Sequence, residues 1–371
     1  MKVNKLFIGA TIVLSLFAFC GQNLIAGNEG KVKVLKEIKE HTGNVNFAWY
    51  SPDGKLICSA DEDSTLKVWD ANTGKSLKTF KGEKELHSAS WSSDGKTIAI
   101  ADKSVKLWNI ETNMISILDA IGEEITRTVV RNYPKYETDI DGNEVEVWIT
   151  DTVEITQGYI PWKVSFSLDG KRVMAIGELQ GDWKIWDTET GKLISSYFRA
   201  GWPTWSPDGK YFSAGCYASY ADGNFPIEKI LTLVDAKTGD LVKTFYKPTE
   251  EKKYQGKDDI VYSAEISPNG KLLLSSGFDK TIKIWDVKST KLLKTLEFGE
   301  EIYMSKWSPD GKKIVSISFD KTIKIYNAET GECIQTINDD YRPFSVSFSP
   351  DGTKILTAGE KGIKIWDLGK E

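Results

Sequence analysis

Hydrophobic and polar residues alternate along many short segments of this chain, and the segments recur at a regular interval. Leu66-Lys67-Val68-Trp69-Asp70 and Ile282-Lys283-Ile284-Trp285-Asp286 are two examples of a pattern with period two, which is typical of β-strands. Upstream of each such strand stands a turn of the Ser-Pro-Asp-Gly type. Its seven copies centre on Gly54, Gly95, Gly170, Gly209, Gly270, Gly311 and Gly352. A repeat of about 40 residues built from strands and turns predicts a β-propeller with one four-stranded blade per copy.

The two ends of the chain predict how the ring is closed. In the fifth repeat, residues 260–266, 271–276, 281–285 and 291–296 are expected to form the four strands. The last repeat stops shortly after Trp366-Asp367 and lacks a fourth strand, whereas residues 31–38 look like a fourth strand with no blade before it. Because unpaired strand edges invite aggregation, we expect residues 32–38 to pair with residues 363–366. The predicted fold is an all-β, seven-bladed propeller of antiparallel blades, closed by its N-terminal strand.

The strand ends also carry a family resemblance. Trp-Asp occurs at residues 69–70, 186–187, 285–286 and 366–367, and the chain resembles WD-repeat propellers from about residue 31 to 367. The resemblance implies a buried hydrogen-bond tetrad, and the first repeat contains all four members: His41, Ser59, Asp63 and Trp69. It also implies a rigid platform for protein assembly. The fourth repeat, at residues 202–210, additionally resembles TolB-like propellers of the periplasm.

The first 26 residues have the layout of a signal peptide. Lys2 and Lys5 precede an apolar run over residues 6–19, which is short for a membrane span, and cleavage is expected after Cys20 or Ala26. Cys20 is also a candidate for lipid attachment, although Phe19 stands where the lipoprotein motif has Gly, Ala or Ser. We therefore expect an exported protein, periplasmic or envelope-associated, whose propeller occupies residues 27–371.

Three insertions interrupt the repeats, at residues 121–160, 217–229 and 246–259. Each falls in a connection from strand four to strand one or from strand two to strand three. Because the strands of a blade alternate in direction, these connections emerge on the same face of the ring. The pattern predicts one built-up rim over blades three to five, where loops rather than sheets determine specificity.

The composition of these insertions suggests a protein-binding surface. Residues 121–160 contain nine acidic and three basic residues and are expected to form a hairpin from residues 125–131 and 144–149. Aromatic residues of the kind that anchor interfaces are the candidate contacts. They are Tyr133, Tyr136, Trp148, Tyr159, Tyr217, Tyr220, Phe225 and Tyr254. A second interpretation stays open, in which the hairpin covers the end of the ring and packs on Trp162 and Trp202.

The remaining composition restricts the function. A net charge of −5, from 48 basic and 53 acidic residues, argues against a nucleic-acid binder. The two histidines lie in different repeats, and the sequence contains no nucleophile elbow, phosphate-binding glycine loop or metal-ligand motif. We therefore expect no catalytic residue, cofactor or metal. The predicted function is a monomeric, non-catalytic scaffold for a protein partner. The alternative is a propeller enzyme or a receptor for a sugar or peptide, using the same face or the central channel.

Overall fold

The computed structural model describes residues 32–118, 125–138, 144–157, 161–177, 182–198, 202–215, 231–246 and 261–369. Within these ranges the regular structure consists of thirty β-strands. Twenty-eight of them form seven antiparallel four-stranded sheets, and β10 with β11 forms a separate two-stranded ladder. The described residues include no helix with the length and apolar character needed to cross a membrane. The predicted all-β architecture is confirmed.

Blades one to four follow the sequence order of the repeats. Blade one contains β2 (Val45–Tyr50), β3 (Leu56–Asp61), β4 (Thr65–Asp70) and β5 (Ser76–Lys81). Blade two contains β6 (Ser88–Trp91), β7 (Thr97–Ala101), β8 (Val105–Asn109) and β9 (Ile115–Leu118). The two-stranded ladder, β10 (Ile125–Thr138) and β11 (Glu144–Gln157), comes next in the chain. Blade three contains β12 (Pro161–Phe166), β13 (Arg172–Gly177), β14 (Asp182–Asp187) and β15 (Leu193–Phe198). Blade four contains β16 (Trp202–Trp205), β17 (Tyr211–Gly215), β18 (Leu231–Asp235) and β19 (Leu241–Tyr246).

The last three blades complete the ring. Blade five contains β20 (Val261–Ile266), β21 (Leu272–Gly277), β22 (Thr281–Asp286) and β23 (Leu292–Glu297). Blade six contains β24 (Ile302–Trp307), β25 (Lys313–Ser318), β26 (Thr322–Asn327) and β27 (Cys333–Asn338). Blade seven combines β28 (Pro343–Phe348), β29 (Lys354–Gly359) and β30 (Gly362–Asp367) with the N-terminal strand β1 (Lys33–Ile38).

Closure of the ring follows the sequence prediction. β1 pairs with β30 in antiparallel register from Lys33↔Asp367 to Ile38↔Ile363. Ile38 is buried among residues of the first and last blades, including Val45 and Ile363. Gly362 makes the close approach possible, because a Cβ atom there would lie 2.2 Å from the Ile38 carbonyl oxygen. The first and last segments of the described chain thus form one blade.

The turn between strands one and two has the same geometry in every blade. In blade one, the Ser51 hydroxyl donates to Asp53 Oδ1 at 2.7 Å and accepts from the Leu56 amide at 2.9 Å. Gly54 adopts a φ of 71°, which glycine tolerates at no steric cost. Because these bonds involve only residues close in the sequence, the sequence alone predicts the turn.

Strands two and three of each blade are buried on both faces, because a blade packs against a neighbour on each side. β3 and β29, for example, are buried along nearly their whole length. The core is accordingly distributed between blades, with clusters that join one blade to the next. This arrangement leaves the inner strands around the central channel and the outer strands at the rim.

Tryptophan side chains form hydrogen bonds between alternate pairs of neighbouring blades, at the inner strands. The indole nitrogens of Trp91, Trp205 and Trp307 each donate to a carbonyl oxygen of the preceding blade at 3.2 Å. The acceptors are Trp49, Ser165 and Glu265, respectively. Side chains of inner strands also accept main-chain bonds from the following blade, as Ser90 does from Phe166 at 3.1 Å. These bonds satisfy part of the exposed edge of the inner strands that they join.

Candidate functional site

The ends of the blades define two different faces of the ring. Since every blade is antiparallel, the connections from strand four to one and from strand two to three share one end, which we call the connection face. The β10–β11 hairpin is inserted between β9 and β12, in a connection from strand four to strand one. It therefore departs from the connection face.

The hairpin is longer than the sequence indicated. Its fourteen pairs run without interruption from Ile125↔Gln157 to Thr138↔Glu144, so each strand extends seven or eight residues beyond its predicted end. The extra length includes Asn132 and Pro134, residues that normally disfavour strands. A continuous partner strand supplies the remaining ladder bonds and overrides that local preference.

The backbone register places three of the predicted contact residues within the paired strands. Tyr133 pairs with Ile149, Tyr136 with Glu146, and Trp148 with Pro134. Tyr159, Tyr217, Tyr220, Phe225 and Tyr254 lie outside the described residues, as does Cys20.

Further aromatic side chains, which the sequence analysis did not select, lie at the connection face of the ring itself. We call them the aromatic collar: His87, Trp162, Tyr262, Tyr303, Phe319 and Phe344. His87 stacks on Trp162 with a centroid distance of 3.7 Å, and Trp162 keeps 37% of its surface exposed. Tyr262 and Tyr303 both contact Phe319, at 6.2 and 5.5 Å.

Arg342 contacts two residues of the aromatic collar, Phe319 and Phe344. The Arg342 guanidinium lies 4.4 Å from the Phe319 centroid and 5.6 Å from that of Phe344. Five of the six collar residues occupy the same place in their repeats, five residues before the serine of the strand-one turn. An alignment of the repeats could have found this column. The insertions do not contain this column, because it lies in the repeated strands themselves.

Charged groups line the inner strands deeper in the ring. Lys306 Nζ lies 2.9 Å from Glu265 Oε1 and 5.7 Å from the Trp49 ring. Burial and the nearby charge of Lys306 lower the pKa of Lys163 to about 7, although Glu265 opposes the shift. These three charged side chains come from blades three, five and six, so the channel brings together residues far apart in the sequence.

The first blade contains the polar network that the family resemblance implied, with one change of member. The Ser59 hydroxyl lies 2.7 Å from His41 Nε2 and accepts from the Trp69 indole at 2.8 Å. The carboxylate beside His41 Nδ1, at 2.9 Å, belongs to Asp61 and not to the predicted Asp63. Asp61 shares the face of β3 with Ser59, two residues earlier. Asp63 lies in the following turn and accepts from the Thr65 amide at 3.0 Å.

Asp61 is held in its charged form. Burial alone would raise the pKa of this carboxyl, but hydrogen bonds, that from His41 foremost, outweigh the effect and hold its pKa well below the usual range. The side chains of His41 and Asp61 are almost completely inaccessible to solvent. Side chains buried to this degree are not available to a substrate. This network is structural.

The equivalent networks in other blades are reduced or replaced. In blade five, the Trp285 indole donates to Ser275 at 2.8 Å, while Asp279 pairs with Lys283. In blade seven, the buried Lys364 pairs with Asp339 at 2.5 Å and also with Asp340. Among the described residues, no group of three or more His, Cys, Asp or Glu side chains is arranged to hold a metal ion.

Architecture and repeat geometry together define a propeller of WD repeats. The family model for the WD domain, G-beta repeat, matches residues 32–70, 74–109, 248–286, 291–327 and 331–367, just over half of the chain. The chain belongs to this family. The matched ranges are repeats one, two, five, six and seven, and the unmatched interval contains the β10–β11 hairpin.

Several curated proteins are similar to this chain. WD repeat-containing protein 1 from Xenopus tropicalis is 24% identical over 292 residues, which covers 76% of this chain and 40% of the relative. Nuclear distribution protein PAC1-1 from Uncinocarpus reesii is 27% identical over 299 residues, covering 70% of this chain and 63% of the relative. SIR4-interacting protein SIF2 from Saccharomyces cerevisiae is 35% identical over 86 residues, 22% of this chain and 16% of the relative. The chain spans about two fifths of the length of the WD repeat-containing protein 1 relatives.

Proposed function

We propose that this protein is an exported, non-catalytic scaffold that binds a protein partner on its connection face, over blades three to five. The aromatic collar is the observation that carries the proposal, because aromatic and arginine side chains are typical anchors of interfaces. The collar includes Trp162 of blade three and Tyr262 of blade five, and it continues onto blades two, six and seven. The insertions depart from the same face and add acidic and aromatic residues. The WD-repeat relatives support an interaction role in general terms, since the name of one of them records an interacting protein.

Rigidity explains how such a face would bind. Five of the collar residues lie in or directly before inner strands, and neighbouring inner strands are hydrogen-bonded across blades, as by the Trp307 indole to the Glu265 carbonyl. Binding to preorganised side chains loses less conformational entropy than binding to free loops. A partner with basic or polar groups and an apolar centre fits the collar together with the acidic insertion at residues 121–160.

Capture of the partner from native envelope extract, followed by cross-linking and mass spectrometry, tests the proposal. We expect deletion of residues 123–157 and the double variant Trp162→Ala, Phe344→Ala each to reduce capture at least tenfold while the ring stays folded. Leu168→Ala is the matched control, because Leu168 is 61% exposed in a turn of blade three on the opposite face. Full capture by both collar and deletion variants would place the binding surface elsewhere.

Export and lipid attachment are tested separately. Fractionation of cells expressing the full chain should recover the protein outside the cytoplasm, with residues 1–26 removed. Incorporation of labelled palmitate that is lost in Cys20→Ser would support a lipid anchor. Recovery of the full-length chain with the cytoplasmic fraction contradicts export. The TolB-like character of the fourth repeat stays a prediction.

A small-ligand receptor is the second candidate, and the channel charges are the observation that favours it. Lys163, Glu265 and Lys306 lie on inner strands and interact electrostatically, and Lys306 lies beside Trp49. A sugar, peptide or anion that bound there would raise the thermal unfolding midpoint, and Lys306→Met would remove the effect. An unresponsive ligand screen counts against this function.

A further inference from the structure

The outer strands of the seven blades differ in how their edges are protected. β1, β5, β9, β15, β19, β23 and β27 each stand at the outside of a sheet, with no described strand beyond them. An exposed edge offers unpaired amide and carbonyl groups to another chain, and folded proteins usually protect it with bulges or charges. Comparison of the seven edges therefore identifies any blade that is open to pairing.

Bulges protect six of the seven edges. The outer strand contains a register shift near its start in blades one, three, four, five and six, and β1 contains one in blade seven. In blade two, β8 pairs with β9 from Trp108↔Ile115 to Val105↔Leu118 without any shift. A bulge twists an edge away from a regular ladder, so the edge of β9 is the regular one in this set.

Charged residues also distinguish the six bulged outer strands from β9. Each of the six bulged strands contains a charged residue or directly follows one, as with Lys192 before β15 and Glu332 before β27. β9 reads Ile-Ser-Ile-Leu and follows Met114, with no charge in the five residues. Met114, Ile115 and Ile117 are 68%, 50% and 55% exposed. Blade two thus presents an apolar edge that lacks both protective features.

The hydrogen-bond pattern shows which groups of β9 face outward. The Asn109 amide donates to the Met114 carbonyl at 2.9 Å, so Met114 faces β8. Bonding alternates along an antiparallel pair, and the amide and carbonyl groups of Ile115 and Ile117 therefore point away from the blade. Two residues can offer four main-chain hydrogen bonds to an added strand.

We propose that β9 is a second docking site, where an extended segment of a partner protein adds as a fifth strand to blade two. The edge is four residues long, about 13 Å, and a rigid body resting on it would bury far less than the roughly 1,200 Å² of a stable interface. A flexible segment needs only the strand bonds and side-chain contacts. Aliphatic residues at alternate positions of that segment would pack beside Ile115 and Ile117.

Fluorescence polarisation with a labelled peptide tests the site in the full chain. The probe is an uncharged heptapeptide of foreign sequence with isoleucine at alternate positions, which matches the proposed partner segment and can add to β9 as a strand. We expect Ile117→Lys to weaken its binding at least tenfold and N-methylation of alternate peptide amides to abolish it. Leu293→Lys is the matched control, because Leu293 is similarly exposed on the bulged strand β23. Thermal unfolding checks that both variants remain folded.

The outcomes separate this site from the connection face. Unchanged peptide binding after deletion of residues 123–157 supports a site independent of the proposed function. Failure of the wild-type chain to bind the peptide overturns the proposal, as does an equal loss in Ile117→Lys and Leu293→Lys. Concentration-dependent dimerisation that Ile117→Lys prevents also overturns it, since the occupant of β9 would then be a second copy of this chain.

Discussion

Lys306 and Glu265 lie on the inner strands of adjacent blades, with 2.9 Å between Nζ and Oε1. The second oxygen of Glu265 accepts a hydrogen bond from the Trp307 amide at 2.8 Å. One carboxylate thus neutralises a lysine and caps an exposed strand edge in the next blade. The charges of both Lys306 and Glu265 act on the pKa of Lys163.

Stability should rise with pH above neutrality because of Lys163. Its pKa is about 7 in the folded protein and about 10.4 in an unfolded chain. Between these values the unfolded state binds more protons, so the free energy of unfolding increases with pH. We expect Lys163→Met to lack this increase, as measured by urea unfolding between pH 6.5 and 9.5. Lys171→Met, at an exposed turn of the same blade, should behave like wild type, and an unchanged slope in Lys163→Met refutes the assignment.

Removal of the Glu265 charge should lower the pKa of Lys163 below 7. Glu265→Gln retains an acceptor for the Trp307 amide but no longer offsets the charge of Lys306. The measurement is the ¹³C NMR titration of the reductively methylated protein, with Lys163→Met identifying the resonance. A pKa that moves upward in Glu265→Gln would show that the Glu265 charge does not raise the pKa of Lys163.

Ser59→Ala should cost more stability than the equivalent change in blade five. Ser59 bonds to both His41 and Trp69, whereas Ser275 has Trp285 as its tetrad partner. An unsatisfied buried group costs about 1–3 kcal/mol, so we expect about 2–4 kcal/mol for Ser59→Ala and about half of that for Ser275→Ala. Chemical denaturation of the two variants gives the comparison. Equal losses would mean that His41 finds another partner.

Closure of the ring predicts opposite results for two residues of β1. Ile38→Ala removes a buried side chain between the first and last blades and should cost about 2–4 kcal/mol. Leu35→Ala, at an exposed position of the same strand, should change the free energy of unfolding by less than about 0.5 kcal/mol. Thermal and urea unfolding measure both. Similar small effects would indicate that β1 contributes little to ring stability.

Much of the fold could be predicted because its signals are local and repeated. The Ser-Pro-Asp-Gly turn is stabilised by bonds within six residues, as between Ser51 and Leu56, and it punctuates the chain seven times. In the fifth repeat, six of the eight predicted strand ends differ by one residue from the ends of β20–β23, and the other two agree. The pairing of the two ends followed from counting strands. The hairpin bounds were too short, because a partner strand sustained pairing past Pro134.

The candidate sites could be predicted less well, because each depends on which residues become neighbours. Asp61 rather than Asp63 pairs with His41 because Asp61 lies on the same face of β3 as Ser59. The aromatic collar forms because residues from several blades lie close together. The unprotected edge of β9 required the register of all seven outer strands.

The sequence by itself determined the repeat, the number of blades and the strand that closes the ring, since turns and alternating patterns act over a few residues. The tertiary structure decided the partners of Lys163, the members of the aromatic collar and the exposure of Ile117. These are properties of distances between blades, which no short stretch of sequence contains.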